Sequence, residues 1–253
     1  MRIITLISVL LFILSGCVQK QELIESTQII EETTNIEEPS SRIEEGSSKT
    51  ENIEIKWEVP LILQNPELPT GCEITSVTML LNFYGFNYNK LDMADNYLDK
   101  SNNFYYKENR LFGPNPQKVF IGNPRNSKGK GLQCFSGVWV NSLNKALEEN
   151  NSNYQAKDIS GYTLKELENF LNGAPILISA TTNMEPATQK EPFFDKDTNK
   201  KIITYRKFHC IVLTGYTDEY YYINDPLGKF SKISKNKLEE AYNSTGRQAV
   251  IIT

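Results

Sequence analysis

Histidine is nearly absent from this chain: its 253 residues include one, His209. Proton transfer and nucleophile activation fall mostly to His, Cys and carboxylate side chains. Any mechanism here that needs an imidazole must therefore use His209. Cysteine is also sparse, with four residues (Cys17, Cys72, Cys134 and Cys210) and no Cys-x-x-Cys pair. One His and no such pair make a Cys/His zinc site a poor expectation, and neither a metal nor a cofactor is expected. Basic charge is in deficit, 27 Lys and Arg against 31 Asp and Glu, a net charge of −4. A nucleic-acid binder would normally carry a basic patch, so that partner class is not expected. Aromatic residues, by contrast, are plentiful. The 13 Tyr and 12 Phe suit a β-rich domain or an aromatic-lined groove, and ordinary core and sheet positions are the commoner use.

The first residues read as an export signal. Arg2 is followed by a short apolar stretch through Leu14, then by Ser15-Gly16-Cys17. That stretch is short for a membrane span. Leu14-Ser-Gly-Cys17 resembles the bacterial lipoprotein lipobox. The resemblance implies removal of residues 1–16, attachment of diacylglycerol to the Cys17 thiol, and a place on the extracytoplasmic face of the cell membrane. Residues 17–56 are rich in Glu, Ser and Thr and contain no aromatic side chain. Low hydrophobicity with excess negative charge cannot offset the entropy of ordering, so an acidic, disordered tether is expected there. A self-repelling linker of this kind would hold a domain at residues 57–253 away from the membrane.

Lipidation would consume Cys17 and leave three cysteines, an odd number. One thiol then stays free even if Cys134 and Cys210 pair, which an extracytoplasmic compartment would permit.

Within the domain, Ile53-Glu-Ile-Lys-Trp-Glu-Val alternates as an edge strand would. The spacing predicts a helix over 70–84, with apolar residues at Ile74, Val77, Leu80 and Leu81 and a stop at Gly85. Thr70-x-x-Glu73 reads as its capping box. Further helices are expected near 90–98, 138–149 and 235–242, and after a second capping box at Thr163-x-x-Glu166. Ala174–Ala180, Phe208–Tyr216, Tyr220–Asn224 and Gln248–Ile252 read as strands, the middle two as a hairpin. Residues 101–131 and 181–206 look irregular, the latter either a solvated insertion or a groove-lining loop with Phe193 and Phe194 touching substrate. Helices gather early and strands late, which argues for an α+β fold and against βαβ winding.

Three residues form a testable constellation. Cys72 occupies the second position of the clearest helix if Thr70 is its N-cap, where unpaired backbone N–H groups and the macrodipole favour a thiolate. The commonest fate of a free Cys is that of a small buried hydrophobe, but Gly71 in front of it and the first-turn location argue otherwise. His209 begins the strand His209-Cys-Ile-Val-Leu-Thr-Gly-Tyr216. Asp225 follows it by 16 residues, a separation that a hairpin can close. It would orient the imidazole and stabilise its charged form, and Asp-Pro-Leu-Gly is at the same time a turn signal. Cys210 should face away from His209 on the strand and be structural.

Leu68-Pro-Thr-Gly-Cys-Glu73, followed by an apolar helix, resembles the nucleophile motif of the C39-like peptidases, a branch of the papain-like cysteine peptidases. His209–Tyr216 and Tyr222-Ile-Asn-Asp-Pro-Leu-Gly228 resemble that family's His and Asp motifs, and the segment from Gly131 to Val140 its middle segment. His209 lies 137 residues after Cys72, within the roughly 130–150 of papain-type enzymes. The resemblance implies a papain-like fold, a helical part carrying the Cys and an antiparallel sheet carrying the His and Asp. It implies Cys72 as nucleophile, His209 as base and then acid, Asp225 as orienter, and an upstream Gln as oxyanion donor, for which Gln64 is the match. The gap from Gln64 to Cys72 is longer than the usual papain-like spacing. The expected activity is hydrolysis of a peptide or protein substrate by a monomer through a thioester. Amidases and acyl transferases, including transglutaminase-like and cell-wall-acting enzymes, use the same apparatus, and a papain-like domain can also serve only to bind.

Overall fold

The computed structural model describes residues 53–127 and 133–253. The expected signal at 1–16, the Cys17 lipidation site and nearly all of the expected tether lie outside the described residues. One boundary moves. Ile53–Lys56, placed in the tether by the division at 56/57, is a strand of the domain, β1, paired antiparallel with the strand that carries His209.

The chain then forms α1 (Cys72–Phe83) and α2 (Lys90–Asp92), which continues as a π turn over Met93–Tyr97. Four short strands follow: β2 (Lys100–Ser101), β3 (Tyr105–Lys107), β4 (Arg110–Gly113) and β5 (Phe120–Ile121). Next come α3 (Ser136–Glu149), β6 (Ala156–Asp158), α4 (Leu164–Leu171) and β7 (Ile176–Thr181). The remainder is β8 (Phe193–Asp195), β9 (Lys201–Ile202), β10 (Phe208–Thr217), β11 (Tyr220–Asn224), β12 (Lys232–Ser234), α5 (Lys235–Ser244) and β13 (Ala249–Ile252). The architecture is α+β and papain-like.

The main sheet runs β12-β11-β10-β7-β13-β6, with β1 also pairing to β10, and every pairing in it is antiparallel. Strand alternation divides its side chains between two cores. Leu177, Phe208, Cys210, Val212, Val250 and Ile252 pack with α1 and α3. Ile176, Ile178, Ile211, Leu213, Ala249 and Ile251 pack with α4 and α5. Helices on both faces explain why β7 and β10 are buried throughout and mostly apolar, with no strict alternation of apolar and polar residues. Each fully buried Val, Leu or Ile in these strands contributes about 1.5–3 kcal/mol, so β10 is the strand the domain can least afford to disturb.

Two expected loops contain structure. Residues from 101–131 and 181–206 meet in a second sheet, ordered β3-β4-β8-β9. Phe193 is buried against Phe104, and Phe194 lies under the Arg110 guanidinium at 3.6 Å. These rings pack within the small sheet, where Phe193 is buried and Phe194 half-buried. The expected α4 capping box is present: Thr163 Oγ1 accepts from Glu166 N–H, and Glu166 Oε2 accepts from Thr163 N–H.

Candidate active site

The register of β10 and β11 builds one half of the site. Val212 pairs with Asn224, the last residue of β11. Extending that register puts Asp225 across from Ile211, on the same face as His209 and diagonal to it, within reach of a long side chain. His209 Nε2 and Asp225 Oδ1 are 2.7 Å apart. Asp225 Oδ1 also accepts from Leu227 N–H at 2.8 Å, and Oδ2 from Lys229 N–H at 3.1 Å. The turn read at Asp-Pro-Leu-Gly and the orienting carboxylate are thus one structure. Burial pushes the Asp225 carboxyl up, but the His209 contact and the two backbone donors outweigh it and hold it below the usual range. With Asp225 anionic, Nε2 carries the ring proton and Nδ1 is left as the basic nitrogen. Nδ1 is buried and has no hydrogen-bond partner.

The other half comes from α1. The ladder with β11 begins at Val212, so the backbone of Cys210 projects beyond it. The first turn of α1 occupies that position. Ser76 Oγ donates to Cys210 C=O at 3.0 Å, and the Cys72 sulfur accepts from the Cys210 backbone N–H. Cys72 is therefore fixed against the residue that follows His209. The two side chains reach the same end of β10 without a hydrogen bond between them.

The thiol donates instead to Glu73 Oε2, at 3.1 Å. Glu73 is 1 % exposed, and its Oε1 accepts from Cys134 N–H at 3.0 Å. This overturns the expected capping box. Gly71 is the N-cap and makes no side-chain cap bond, and Cys72 is the first helical residue, not the second. Thr70 Oγ1 donates to Asn126 C=O at 2.9 Å and anchors the loop before the helix. Glu73 points into the core because Cys134 N–H needs an acceptor there. The electrostatics change accordingly. The helix terminus was expected to favour a thiolate, but burial, and after it the Glu73 carboxylate, pushes the Cys72 thiol well above its usual range. Burial raises Glu73 itself to about 7 against the opposing pull of its hydrogen bonds and Lys190.

Gln64 is buried and its backbone N–H donates to Pro226 C=O at 2.8 Å, tying the loop before the nucleophile to the Asp225 turn. Its Nε2 donates to Leu68 C=O at 3.2 Å and Pro69 C=O at 2.9 Å. In this arrangement the amide braces the approach to Cys72 and is not directed at an oxyanion. The first backbone N–H groups of α1 have no partner within the helix. Cys134 and Cys210 are both buried and free, so the disulfide left open by the sequence is not formed. Among the described residues, no group of three His, Cys, Asp or Glu side chains could hold a metal ion.

The model of the Peptidase_C39 like family matches residues 56–250. The chain belongs to the C39-like peptidase family. Uncharacterized protein YvpB of Bacillus subtilis (strain 168) is 31% identical over 190 residues, covering 74% of this chain and 70% of that protein. A crystal structure of a C39-like peptidase candidate from Bacillus anthracis is 28% identical, with a TM-score of 0.66 over 79% of this chain and 96% of its own. The match spans Gln64, Cys72, His209 and Asp225 within one family domain.

Glu73 is the site residue that the sequence reading misassigned. Its position directly after a proposed nucleophile was the available signal, and the capping-box pattern concealed it.

Proposed function

We propose that this protein is a surface-anchored cysteine peptidase that hydrolyses a peptide or amide bond through Cys72, His209 and Asp225. The carrying observation is the buried His209, with Nε2 on Asp225 and a vacant Nδ1, at the same strand end as a helix-terminal thiol. Membership of a C39-like peptidase family supports the reading.

In the forward reaction the Cys72 proton passes to His209 Nδ1 and the sulfur attacks the substrate carbonyl carbon. The carbonyl oxygen gathers negative charge against the Cys72 backbone N–H. A Gln64 amide freed from Leu68 and Pro69 would be the second donor. The C–N bond breaks, Nδ1–H protonates the leaving amine, and a thioester forms. Water, deprotonated by Nδ1, then releases the acid and restores the thiol. Asp225 keeps the ring in the tautomer that this sequence needs. The Cys17 lipid would hold the domain at the extracytoplasmic membrane face, and a peptide or protein would be its partner.

A peptide library incubated with the full chain, with Cys72→Ala as control, tests the activity. Cleavage by the native chain that is lost in Cys72→Ala and His209→Ala supports it. Cleavage surviving either substitution overturns it. For the anchor, Cys17→Ser should release the protein from membranes, and continued tight association would exclude lipidation at Cys17.

A further inference from the structure

The thiol proposed above as the nucleophile is hydrogen-bonded to a carboxylate outside the triad. Glu73 Oε1 is fixed by Cys134 N–H at 3.0 Å, which aims Oε2 at the Cys72 sulfur, 3.1 Å away. His209 Nδ1 waits unoccupied at the end of β10. We propose that Glu73 is a positioning residue that governs ionisation of Cys72: as a carboxylate it holds the thiol proton and keeps the site at rest, and as a neutral acid it lets the thiolate form. The inference rests on the reading of Cys72 as nucleophile, but not on the identity of the substrate.

The surroundings of Glu73 support this role. From its own helix it meets Cys72, from the segment before α3 Cys134, and from β10 Cys210. All three are thiols that burial keeps protonated. The cation acting on it is Lys190, from the loop between β7 and β8, which in turn feels Arg206. Lys190 Nζ also lies 3.4 Å from Gln133 Oε1. His209, with Asp225 behind it, immediately precedes in β10 the strand residue that contacts the sulfur, Cys210. A carboxylate in this setting makes a second negative charge on Cys72 costly. Once Glu73 takes a proton from solvent, its O–H can donate to the sulfur. The Cys72 proton then moves to Nδ1, leaving thiolate and imidazolium with no like charge beside the sulfur. The two carboxyl and thiol sites titrate as a coupled pair.

The test is the pH dependence of iodoacetamide alkylation at Cys72 in the full chain, read by mass spectrometry with Cys134 and Cys210 as internal references. Glu73→Gln keeps an oxygen for Cys134 N–H and removes the charge. It should lower the apparent pKa of Cys72 by at least about one unit, a roughly tenfold faster reaction at neutral pH. The same shift should persist in a His209→Ala background, because Glu73 touches the sulfur directly. Profiles that coincide with and without the substitution overturn the proposal, as does slower alkylation in Glu73→Gln. If Glu73→Gln does not fold, infrared difference spectra of native chain and Cys72→Ala decide. The carboxylate stretch of Glu73, read above pH 7, should move when its S–H donor is removed, and an unmoved band overturns the role. Failure to cut any peptide would count against the peptidase reading alone, since the alkylation profile reads Glu73 whether or not peptides are hydrolysed.

Discussion

His209 Nε2 and Asp225 Oδ1 sit 2.7 Å apart with both side chains only 1 % exposed. This is not a surface ion pair held loosely by water. The carboxylate is fixed by Leu227 and Lys229 N–H, and the ring is fixed by the carboxylate. Asp225→Ala should therefore leave His209 present but misoriented. The rate of acylation of Cys72 by an activated ester is expected to fall by at least about 100-fold, while His209→Ala abolishes base catalysis because the chain has no second imidazole. Single-turnover kinetics on the two variants check both expectations.

The same carboxylate sets an acid limit on stability. Its folded pKa lies below the ordinary carboxylate value of 3.8. A depressed folded pKa means that the native state binds the proton less readily than the unfolded chain. The associated stability is present above pH 3.8 and is lost as pH falls through the folded value. Urea midpoints should drop more steeply below pH 4 for the native chain than for Asp225→Ala, whose starting stability is lower.

Much of this was readable in advance, and the misses share a cause. β7 and β10 were legible as largely apolar runs, β11 as an aromatic-rich segment after a short turn, and the register of a hairpin follows from its short connection. The nearness of His209 and Asp225 followed from that hairpin. What stayed hidden depends on partners far away in sequence. Thr70-x-x-Glu73 satisfies the capping pattern, yet Asn126 C=O takes the Thr70 hydroxyl and Cys134 N–H takes the Glu73 carboxylate. The small sheet that holds Phe193 and Phe194 stayed hidden because β4, which pairs with their strand, carries only four residues and no sustained alternation. The expected thiolate at Cys72 took account of the helix terminus and not of a buried carboxylate one residue on.

Glu73 gives a stability trend of opposite sign to that of Asp225. Its folded pKa is raised from 4.5 to about 7. A raised folded pKa means that stability is fully present below pH 4.5 and is lost as pH rises towards and through about 7. The loss approaches about 3 kcal/mol, at 1.36 kcal/mol per unit. Glu73→Gln cannot ionise and avoids this loss. Its melting temperature relative to the native chain should climb between pH 5 and pH 8; a constant difference would show that Glu73 is not neutral in the acidic folded state.

Gly71 is placed where a side chain would disturb the nucleophile. A Cβ there would come within 2.7 Å of Leu68 Cβ and 3.2 Å of Pro124 Cβ. Leu68 is fully buried and cannot give way cheaply. Gly71→Ala should cost about 1–3 kcal/mol through overpacking. Because the displaced element is the first turn of α1, alkylation and acylation of Cys72 should change more than global stability does. Equal rates in the two chains would show that the helix start absorbs the methyl group without moving the thiol.

Gly215 controls the opposite end of β10. Here β1 crosses the strand so closely that a Cβ would lie 2.3 Å from the Ile55 carbonyl oxygen and 2.7 Å from Lys56 Cα. Both obstacles are backbone, so no rotamer change relieves them. The pairing Lys56↔Gly215 therefore requires glycine, and Trp57 N–H, which donates to Thr214 C=O at 2.6 Å, depends on that approach. Gly215→Ala should detach β1 and expose 53–57 to proteolysis. Trp57 would lose its indole hydrogen bond to Leu171 C=O and its edge contact with Phe83. The site lies at the other end of the strand, where His209 is held by β7 and by Asp225. Cys72 alkylation should consequently stay near its native rate at temperatures below the lowered melting point. Limited proteolysis with N-terminal sequencing reads the first effect and alkylation the second, and a variant that keeps 53–57 protected would show that β1 does not need Gly215.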